Sequence, residues 1–327
     1  MSTEFVVGLD VDGGVTRATV IGLDGTRLGE GQAGGGNPLT HGPEQATAEL
    51  RAALASALST VDPGGARAGV IGLAGANRLL ADPTSRAVFD TVWRDVGLRC
   101  RYTVLDELLV RYASATAAPE GTVVLADTDA VAATIREMSI DRTADGYGWL
   151  LGDGGSGFWL GREAVRRLLA DLDAGREPNP LSAQVLRELL GATQISPRPR
   201  HTVDRVIQTV TRRPPADLAK LAPVVLTAAA AGDPTARELV EEAAQRLVAT
   251  VHRVRGADES TPVVLGGGLL NDGSTLADAV SAALHAHSPH TPLLIAGDGA
   301  AAAAWLAARA LDGVDATVLY QRVVRRG

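Results

Sequence analysis

The sequence of 327 residues has one cysteine, few aromatic residues and no long apolar run. Cys100 alone can form neither an internal disulfide nor an all-cysteine cluster site, which fits a reducing compartment. Aromatic residues are only 3% of the chain, so a surface of stacking rings for single-stranded nucleic acid is not expected. The longest apolar stretches, 221–231 and 300–308, fall short of the roughly 20 residues that cross a bilayer, so we expect no membrane segment.

An excess of positive charge is also absent. The chain has 31 Lys and Arg against 38 Asp and Glu, a formal net charge of -7. This balance gives no general attraction to phosphate backbones or anionic lipid, so nucleic acid is not an expected partner. The first ten residues, MSTEFVVGLD, contain no basic segment followed by an apolar core, and we therefore expect a cytoplasmic protein.

The pattern of the first part of the chain predicts an α/β domain. β-prone runs occupy 5–11, 18–23 and the residues from Arg27, and Asp24-Gly25 forms a hairpin turn between the last two. A helix should follow Pro43, because Leu50, Leu54 and Leu58 recur every four residues. Strands are expected again at 69–73 and 102–105.

The second part repeats this order coarsely. Strands are predicted at 122–126, 131–137 and 147–151, helices near 181–190, 216–231 and 234–253, and a strand at 262–265. Strands that alternate with helices predict two α/β domains, a number that the length also favours. The stretch 117–120 is the expected boundary, which divides the chain into residues 1–118 and 119–327.

A glycine turn closes the first predicted strand, in residues 10–16 with the sequence DVDGGVT. Glycines at such a turn let backbone N–H groups approach a phosphate, a Thr hydroxyl can add a donor, and an Asp can hold Mg²⁺ through water. An ordinary tight hairpin explains the same residues equally well. This turn indicates a phosphate site only in combination with other motifs.

Eight blocks in one order supply that context. LDVDGGVTRA at 9–18 resembles the first phosphate loop of the actin, hsp70 and sugar-kinase superfamily. It is followed by GGGNP at 34–38, GLAGANR at 72–78, VLDELLVRYASA at 104–115, GYGWLLGDGGSGFWLG at 146–161, AAAAGDPTARELVEEAA at 228–244, VVLGGGLLN at 263–271 and GDGAAAAAWLA at 297–307. Together the blocks resemble the BadF/BadG/BcrA/BcrD-type ATPase family, in particular its N-acetylglucosamine kinase branch.

The resemblance implies two ribonuclease-H-like domains (an actin-like ATPase fold) with an interdomain cleft, and ATP, Mg²⁺ and a sugar as ligands. It implies that Asp10 faces Mg²⁺ and that Asp106 is the catalytic base, which accepts the proton of the attacking hydroxyl. Sugar contacts are implied for Asn37, Asp106 and Asp153. Phosphate or nucleotide contacts are implied for Asp10, Gly13, Gly14, Thr16, Thr128, Gly266, Gly267 and Gly268.

Three of these residues also have a plain structural interpretation. Asp106 precedes a predicted helix and could simply cap it. Asn37 precedes a proline and could be a turn residue, and Asp153 stands between glycines, where an aspartate often serves a turn.

The sequence departs from the family pattern at the phosphate loops. Asp127 and Asp129 replace the two glycines of the second loop, and a carboxylate 4 Å from a phosphate oxygen costs about 4 kcal/mol at an effective dielectric near 20. Either Mg²⁺ bridges these carboxylates to the phosphates or the phosphate site has decayed. In the first loop Asp12 stands at a glycine position, so the family aspartate could be Asp10 or Asp12. Gly154 stands where the family has Glu, with a role that the sequence does not explain.

Two functions of different classes follow. The first is an ATP-dependent kinase for the 6-hydroxyl of an amino sugar, with N-acetylglucosamine as the leading substrate. The alternative is a non-catalytic or regulatory sugar-binding relative with degraded phosphate loops. The reductase-activating ATPases of the family need cysteines for an iron–sulfur cluster, and Cys100 alone disfavours them. The sequence does not fix the sugar or the oligomeric state, and a homodimer is one assembly to test.

Overall fold

A computed structural model describes residues 3–256 and 259–324. These residues form ten β-strands: β1 (Phe5–Val11), β2 (Val15–Gly22), β3 (Arg27–Gly34), β4 (Ala66–Leu73), β5 (Tyr102–Asp106), β6 (Gly121–Ala126), β7 (Ala130–Arg136), β8 (Ser139–Asp145), β9 (Val263–Gly266) and β10 (Leu293–Ile295). The helices of the first half are α1 (Pro38–His41), α2 (Pro43–Ala57), α3 (Ala76–Ala81), α4 (Pro83–Asp95) and α5 (Glu107–Ala113).

Eight further α-helices follow in the second half: α6 (Gly157–Asp173), α7 (Pro180–Leu190), α8 (Pro199–Thr211), α9 (Ala222–Ala230), α10 (Pro234–Val254), α11 (Thr275–His287), α12 (Gly299–Arg309) and α13 (Ala316–Val323). Short 3-10 helices occupy Pro63–Gly65 and Pro215–Leu221.

The two sheets have the same topology. The first has the strand order β3-β2-β1-β4-β5, and the second, taken from its opposite edge, has the order β8-β7-β6-β9-β10. In each, the central strand pairs antiparallel with the next strand of the chain and parallel with the strand that follows the first helical segment. The coarse repeat that the sequence predicts is therefore present as two α/β halves with the same strand order.

The chain divides into two compact units. The first unit contains the described residues among 1–119, 137–140 and 296–327, and the second contains those among 120–136 and 141–295. The division near 118 resembles the expected boundary, but the sequence analysis assigns residues 296–327 to the second domain. Helix α12 packs against β1, β4 and β2, so its contacts are with the first sheet.

The core of the first unit is built around β1, which is buried along its whole length. Phe5, Val7 and Leu9 point to one face of the sheet, where they pack with apolar residues of α2 and α4. On the other face α12 lies so close to Gly8 that a Cβ there would overlap the helix backbone. The alanine-rich sequence of α12 provides the flat surface that this close approach requires.

The second unit is richer in helices. Helices α6, α7, α9 and α10 contribute most of its apolar core together with β6 and β9. Asp233 is the N-cap of α10, where its Oδ1 accepts from Ala236 N at 2.9 Å, and its Oδ2 accepts from Leu181 N at 3.1 Å. One carboxylate thus satisfies backbone donors of α10 and α7, which fixes the two helices to each other.

One predicted strand is wrong. The sequence analysis expects a strand at 147–151, whereas the third strand of this sheet is β8 and residues 147–151 are turns and loop with exposed Tyr147, Leu150 and Leu151. Glu137 and Met138 both have positive φ and form a two-residue hairpin turn between β7 and β8. Glu and Met are not typical residues of such a turn, and β8 is too polar to resemble a buried strand.

Within the described ranges, the search for a helix with the length and apolarity of a bilayer crossing finds none.

Candidate active site

The turn between β1 and β2 has open space beside its glycines. Asp12 N donates to Val15 O at 2.9 Å and closes the turn. A Cβ added at Gly13 or Gly14 would meet nothing within 4 Å. Neither glycine has a positive φ, so neither backbone conformation nor crowding by the described residues requires glycine here. The backbone of this turn therefore leaves room for a ligand to approach it closely.

Asp10 lies at the end of β1 with only 1% of its surface exposed. The Arg111 guanidinium, on α5, places Nη1 3.1 Å from Asp10 Oδ2 and Nη2 3.9 Å from Asp12 Oδ2. Asp10 Oδ2 nevertheless accepts no hydrogen bond from the described residues, because the ion pair has the distance of a hydrogen bond but not its angles. Burial raises the pKa of Asp10, and Arg111 opposes that shift.

Thr16 does not accompany Asp10. Asp10 pairs across the strands with Arg17, so Thr16 points to the opposite face of the sheet. Its hydroxyl is fully buried, accepts and donates no hydrogen bond among the described residues, and lies against Gly36. The Thr16 hydroxyl therefore lies on the face of the sheet opposite Asp10, and the phosphate contact that the resemblance implies for it stays a prediction.

Asp106 ends β5 and is the N-cap of α5, where its Oδ1 accepts from Leu108 N at 3.0 Å. The capping role that the sequence offers as an alternative is therefore present. The cap uses one oxygen, and Oδ2 has no hydrogen bond among the described residues. Burial raises the pKa of the Asp106 carboxyl, and the Leu108 N–H opposes the rise. A half-buried carboxylate with one oxygen still available is suited to accept a proton.

Asn37 is 3% exposed, and its side chain makes two structural hydrogen bonds. Oδ1 accepts from Leu39 N at 2.9 Å as the N-cap of α1, and Nδ2 donates to Ala74 O at 3.2 Å. Asn37 thereby joins the loop after β3 to the loop after β4. Nearby, His41 Nε2 lies 2.5 Å from Gly13 O and contacts the turn after β1. His41 is a residue of this region that the sequence analysis does not identify.

In the second unit the loop 127–129 follows β6, in the place that the turn after Asp10 has in the first unit. Asp127 N donates to Asp129 O at 2.9 Å, and the N-terminus of α6 holds the loop through Gly157 N to Asp127 O at 2.7 Å and Phe158 N to Thr128 O at 3.2 Å. The side chains of Asp127, Thr128 and Asp129 are exposed.

The glycine run after β9 lies beside this loop. Gly267 has φ +91°, and a Cβ there would overlap the Ala126 carbonyl, so the turn packs directly on β6. Gly268 N donates to Asp127 Oδ2 at 3.1 Å. The Asp127 carboxylate therefore binds a backbone N–H of the glycine run. Gly266, the last residue of β9, is buried.

Asp153 is 2% exposed and has φ +60°, a conformation that Asp tolerates better than most residues. Its Oδ1 accepts from Ala130 N at 3.4 Å, and its own N donates to Asp145 Oδ1 at 2.8 Å. Burial raises the pKa of Asp153 to about 6; the Ala130 N–H lowers it, and Asp129 and Asp145 raise it further. Asp153 thus lies with the second loop, in the same unit.

Comparison with known proteins identifies the family of this chain. The model of the BadF/BadG/BcrA/BcrD ATPase family matches residues 7–307. The chain belongs to this family. It is 23% identical over 298 residues to the N-acetylmuramic acid/N-acetylglucosamine kinase of Clostridium acetobutylicum, covering 89% of this chain and 94% of that protein. It is 24% identical over 309 residues to the N-acetyl-D-glucosamine kinase of Dictyostelium discoideum, covering 90% and 94%.

A solved structure of a provisionally named N-acetylglucosamine kinase from Chromobacterium violaceum has the same fold. The TM-score is 0.71 at 23% identity, over 94% of this chain and 99% of that chain. The expected fold class is confirmed: two ribonuclease-H-like α/β domains of the actin-like ATPase type.

Membership of this ATPase family implies Mg²⁺, and the residues at Asp10 do not fit it. No three His, Cys, Asp or Glu side chains within 3–256 and 259–324 are arranged to hold a metal ion. Mg²⁺ often needs only one or two protein carboxylates, so the position of Arg111 decides the question. Its guanidinium already neutralises Asp10, whose own surface is almost wholly buried.

ATP fits the first turn better than the second. Gly13 and Gly14 leave space beside their backbone. At Gly268 a Cβ would lie 3.3 Å from Asp127 Oδ1, so the Asp127 carboxylate fills the space beside that N–H. Asp127 is exposed and can turn away by rotation of its side chain. Phosphate binding at the second loop therefore requires this carboxylate to move.

The stem of Arg246 lies beside Gly154: a Cβ added at position 154 would be 3.6 Å from Arg246 Cβ. Arg246 also stacks on Trp159 and pairs with Glu242. Arg111 is the more important residue that the sequence analysis does not single out, although it lies within a family block. A charged residue between the buried Val110 and Tyr112 is the signal that could have identified it.

Proposed function

We propose that this chain is an ATP-dependent kinase that transfers a phosphoryl group to the 6-hydroxyl of an amino sugar, with N-acetylglucosamine as the leading substrate. Membership of the ATPase family supports ATP use. The two curated relatives, both named for N-acetylglucosamine, support the sugar class. ATP supplies the phosphoryl group. The chain's own residues bind and orient the sugar and accept the proton of its attacking hydroxyl.

The observation that carries the proposal is the environment of the Asp106 carboxylate, that is, its hydrogen bond and its raised pKa. Its Oδ1 is held by Leu108 N, which fixes the carboxylate at the end of β5. Its Oδ2 accepts the proton of the attacking hydroxyl, and the raised pKa makes it a stronger base than an exposed aspartate. Most of the remaining work in phosphoryl transfer is positioning and charge stabilisation, so one such carboxylate suffices.

Asn37 and Asp153 are the proposed sugar contacts. Both are buried and held by backbone hydrogen bonds, so neither needs to be ordered when a ligand binds. A sugar hydroxyl can donate to the Asp153 carboxylate, and a carbonyl or hydroxyl of the sugar can accept from the second hydrogen of Asn37 Nδ2. Such prepositioned polar groups are typical of sites that recognise hydroxyl patterns.

A sugar-binding protein without phosphoryl transfer is the second candidate. One observation favours it: Asp127 Oδ2 accepts from Gly268 N at 3.1 Å and so takes a donor that a phosphate would use. A carboxylate at that position also repels a phosphate by about 4 kcal/mol at 4 Å and an effective dielectric near 20. Under this reading the sugar contacts remain and the nucleotide site does not.

Calorimetry with separate ligands distinguishes the two candidates. N-acetylglucosamine and ATP are titrated individually into the protein, and thermal melts are recorded with N-acetylglucosamine, N-acetylgalactosamine and glucose. A sugar at one hundred times its Kd should stabilise the protein by about 2.7 kcal/mol. The kinase requires ATP binding and release of ADP in the presence of sugar. Sugar binding without any ATP binding supports the second candidate, and absence of a shift with every sugar contradicts both.

A further inference from the structure

The ion pair between Arg111 and Asp10 is a costly arrangement. The side chain of Arg111 is 15% exposed and that of Asp10 is 1% exposed, so both charges have lost most of their water. Three other charged groups act on Asp10: Arg17 lowers its pKa, and Asp12 and Asp298 raise it. Asp10 would be in an unfavourable field of carboxylates without a nearby cation.

The fold gives Arg111 a direct path to Asp10. The residue beside Asp10 in the neighbouring strand β4 is Gly72, which has no side chain. A Cβ at Gly72 would lie 2.7 Å from Val110 Cγ2, so glycine is what allows α5 to pack closely on β4. The next residue of α5, Arg111, then extends its guanidinium across to Asp10 and Asp12.

The Arg111 guanidinium is a cation of the protein itself, and it reduces the need of this site for a metal ion from solution. The family resemblance implies Mg²⁺ at Asp10, but the guanidinium is already 3.1 Å from the carboxylate. A second cation beside the first would add repulsion between like charges at short range. A guanidinium is always charged and suits phosphate oxygens, because its planar set of donors matches their geometry.

We propose that Arg111 takes the place of a divalent cation at Asp10: Asp10 is not a metal ligand in this chain, and the Arg111 guanidinium supplies the positive charge for phosphate at the turn after β1. The inference rests on the proposed function only in treating that turn as a phosphate site. Arg111 is a phosphate-binding residue under this proposal, and its pairing with Asp10 keeps the guanidinium in place.

A purely structural ion pair makes a different prediction. It would block metal binding at Asp10 equally well, but its removal would leave the affinity for phosphate groups unchanged in a folded protein. The test therefore needs one readout for the metal and one for phosphate, with no sugar and no turnover in either. Failure of the kinase proposal then leaves both readouts interpretable.

The first readout is Mn²⁺ binding followed by electron paramagnetic resonance, in wild type, Asp10→Asn, Arg111→Ala and the control Arg94→Ala. Arg94 is an exposed arginine on α4 of the same unit. Wild type, Asp10→Asn and Arg94→Ala should bind Mn²⁺ alike, and Arg111→Ala should bind it about tenfold or more tightly. A wild-type Mn²⁺ site that disappears in Asp10→Asn would overturn the proposal.

The second readout is calorimetric titration with inorganic triphosphate in EDTA. Wild type and Arg94→Ala should bind it equally, and Arg111→Ala should bind it about tenfold more weakly or worse. If Arg111→Ala does not fold, Arg111→Lys replaces it, because Lys keeps the charge and loses the planar donor set; its affinity should fall about threefold or more. Equal affinity in wild type and the folded Arg111 variant, or no binding by wild type, would overturn the proposal.

Discussion

The corresponding loops of the two units solve the same electrostatic problem in different ways. In the first unit a buried aspartate, Asp10, is balanced by the side-chain cation of Arg111. In the second an exposed aspartate, Asp127, is balanced by the backbone N–H of Gly268. The strand order around both loops is the same, so the difference lies in side chains and not in topology. Fold alone therefore does not determine whether a loop of this type presents a cation or a carboxylate to a ligand.

The repeat also relates two N-cap aspartates. Asp106 is the last residue of β5 and caps α5. Asp298 comes after β10, the corresponding strand of the second sheet, and caps α12. Asp298 Oδ1 accepts from Ala301 N at 2.9 Å, and its Oδ2 pairs with Arg27 at 3.0 Å. Only the Asp106 cap leaves an oxygen without a partner among the described residues.

The largest expected effect is on turnover, in the comparison of Asp106 with Asp298. Asp106→Asn keeps a good N-cap but loses the proton acceptor, so turnover should fall by roughly 10²–10⁴ with sugar affinity within a few-fold of wild type. Asp298→Asn also keeps its cap and should retain turnover within a few-fold. Steady-state rates on both purified variants check the contrast. Equal losses in the two variants would mean that both aspartates act only as caps.

Removal of Arg111 should have the next largest effect, on stability. Arg111→Ala leaves the Asp10 carboxylate buried without its cation, which is expected to lower the free energy of unfolding by about 3–5 kcal/mol. Urea unfolding of Arg111→Ala, and of a double variant in which Arg111→Met accompanies Asp10→Asn, measures this. The double variant should recover most of the loss, since neither charge of the pair remains. A single variant as stable as wild type would show that the ion pair contributes little.

Asp153 is predicted to reduce stability at neutral pH. Its folded pKa of about 6 exceeds the ordinary value of 3.8, so the folded state favours the protonated carboxyl. That stabilisation is complete below about pH 4 and is lost as the pH rises through about 6. Asp153→Asn, which tolerates the same positive φ, should therefore be more stable than wild type by about 1–3 kcal/mol at pH 7.5.

The pH profile is the control for Asp153. The stability difference between Asp153→Asn and wild type should be near zero below pH 4 and should grow between pH 4 and 7. Sugar affinity should decrease in the same variant, because residues at binding sites are commonly retained at a cost in stability. A stability difference that does not depend on pH would contradict the raised pKa.

The smallest effect is expected at the second loop. Asp127→Gly with Asp129→Gly removes two carboxylates and releases Gly268 N, and ATP affinity should rise about tenfold, equivalent to about 1.4 kcal/mol. Asp127→Asn is the matched control, because it keeps an acceptor for Gly268 and loses the charge. A bridge of Mg²⁺ between these aspartates and the phosphates predicts the reverse, a loss of affinity that is greatest at high Mg²⁺. Titration of ATP with Mg²⁺ and with EDTA separates the two.

Much of the fold could be predicted from sequence because its signals are local. β1 begins and ends where the apolar run Phe5–Val11 does, and the N-cap of α10 was identifiable because Asp233 directly precedes a proline and a helical pattern. The polar strand β8 and its turn at Glu137 and Met138 could not be found this way, since tertiary pairing and not residue preference holds them.

The candidate-site residues show the same contrast between local signals and tertiary contacts. Asp10, Asp106 and Asp153 could be identified because they stand in motifs. The burial of Thr16 follows from strand alternation, which the sequence also contains but which a motif comparison does not use. The partnerships of Arg111 with Asp10 and of Asp127 with Gly268 join residues that are distant in the chain, and only the folded arrangement reveals them.

The most direct test of the account is whether phosphate reaches the sugar. Purified protein is incubated with ATP and N-acetylglucosamine and followed by phosphorus nuclear magnetic resonance, with Asp106→Asn and Asp298→Asn in parallel. A sugar 6-phosphate signal is expected in wild type and Asp298→Asn, and its near absence is expected in Asp106→Asn. Sugar binding by calorimetry with no phosphate transfer in wild type would contradict it and would leave a sugar-binding protein in place of a kinase.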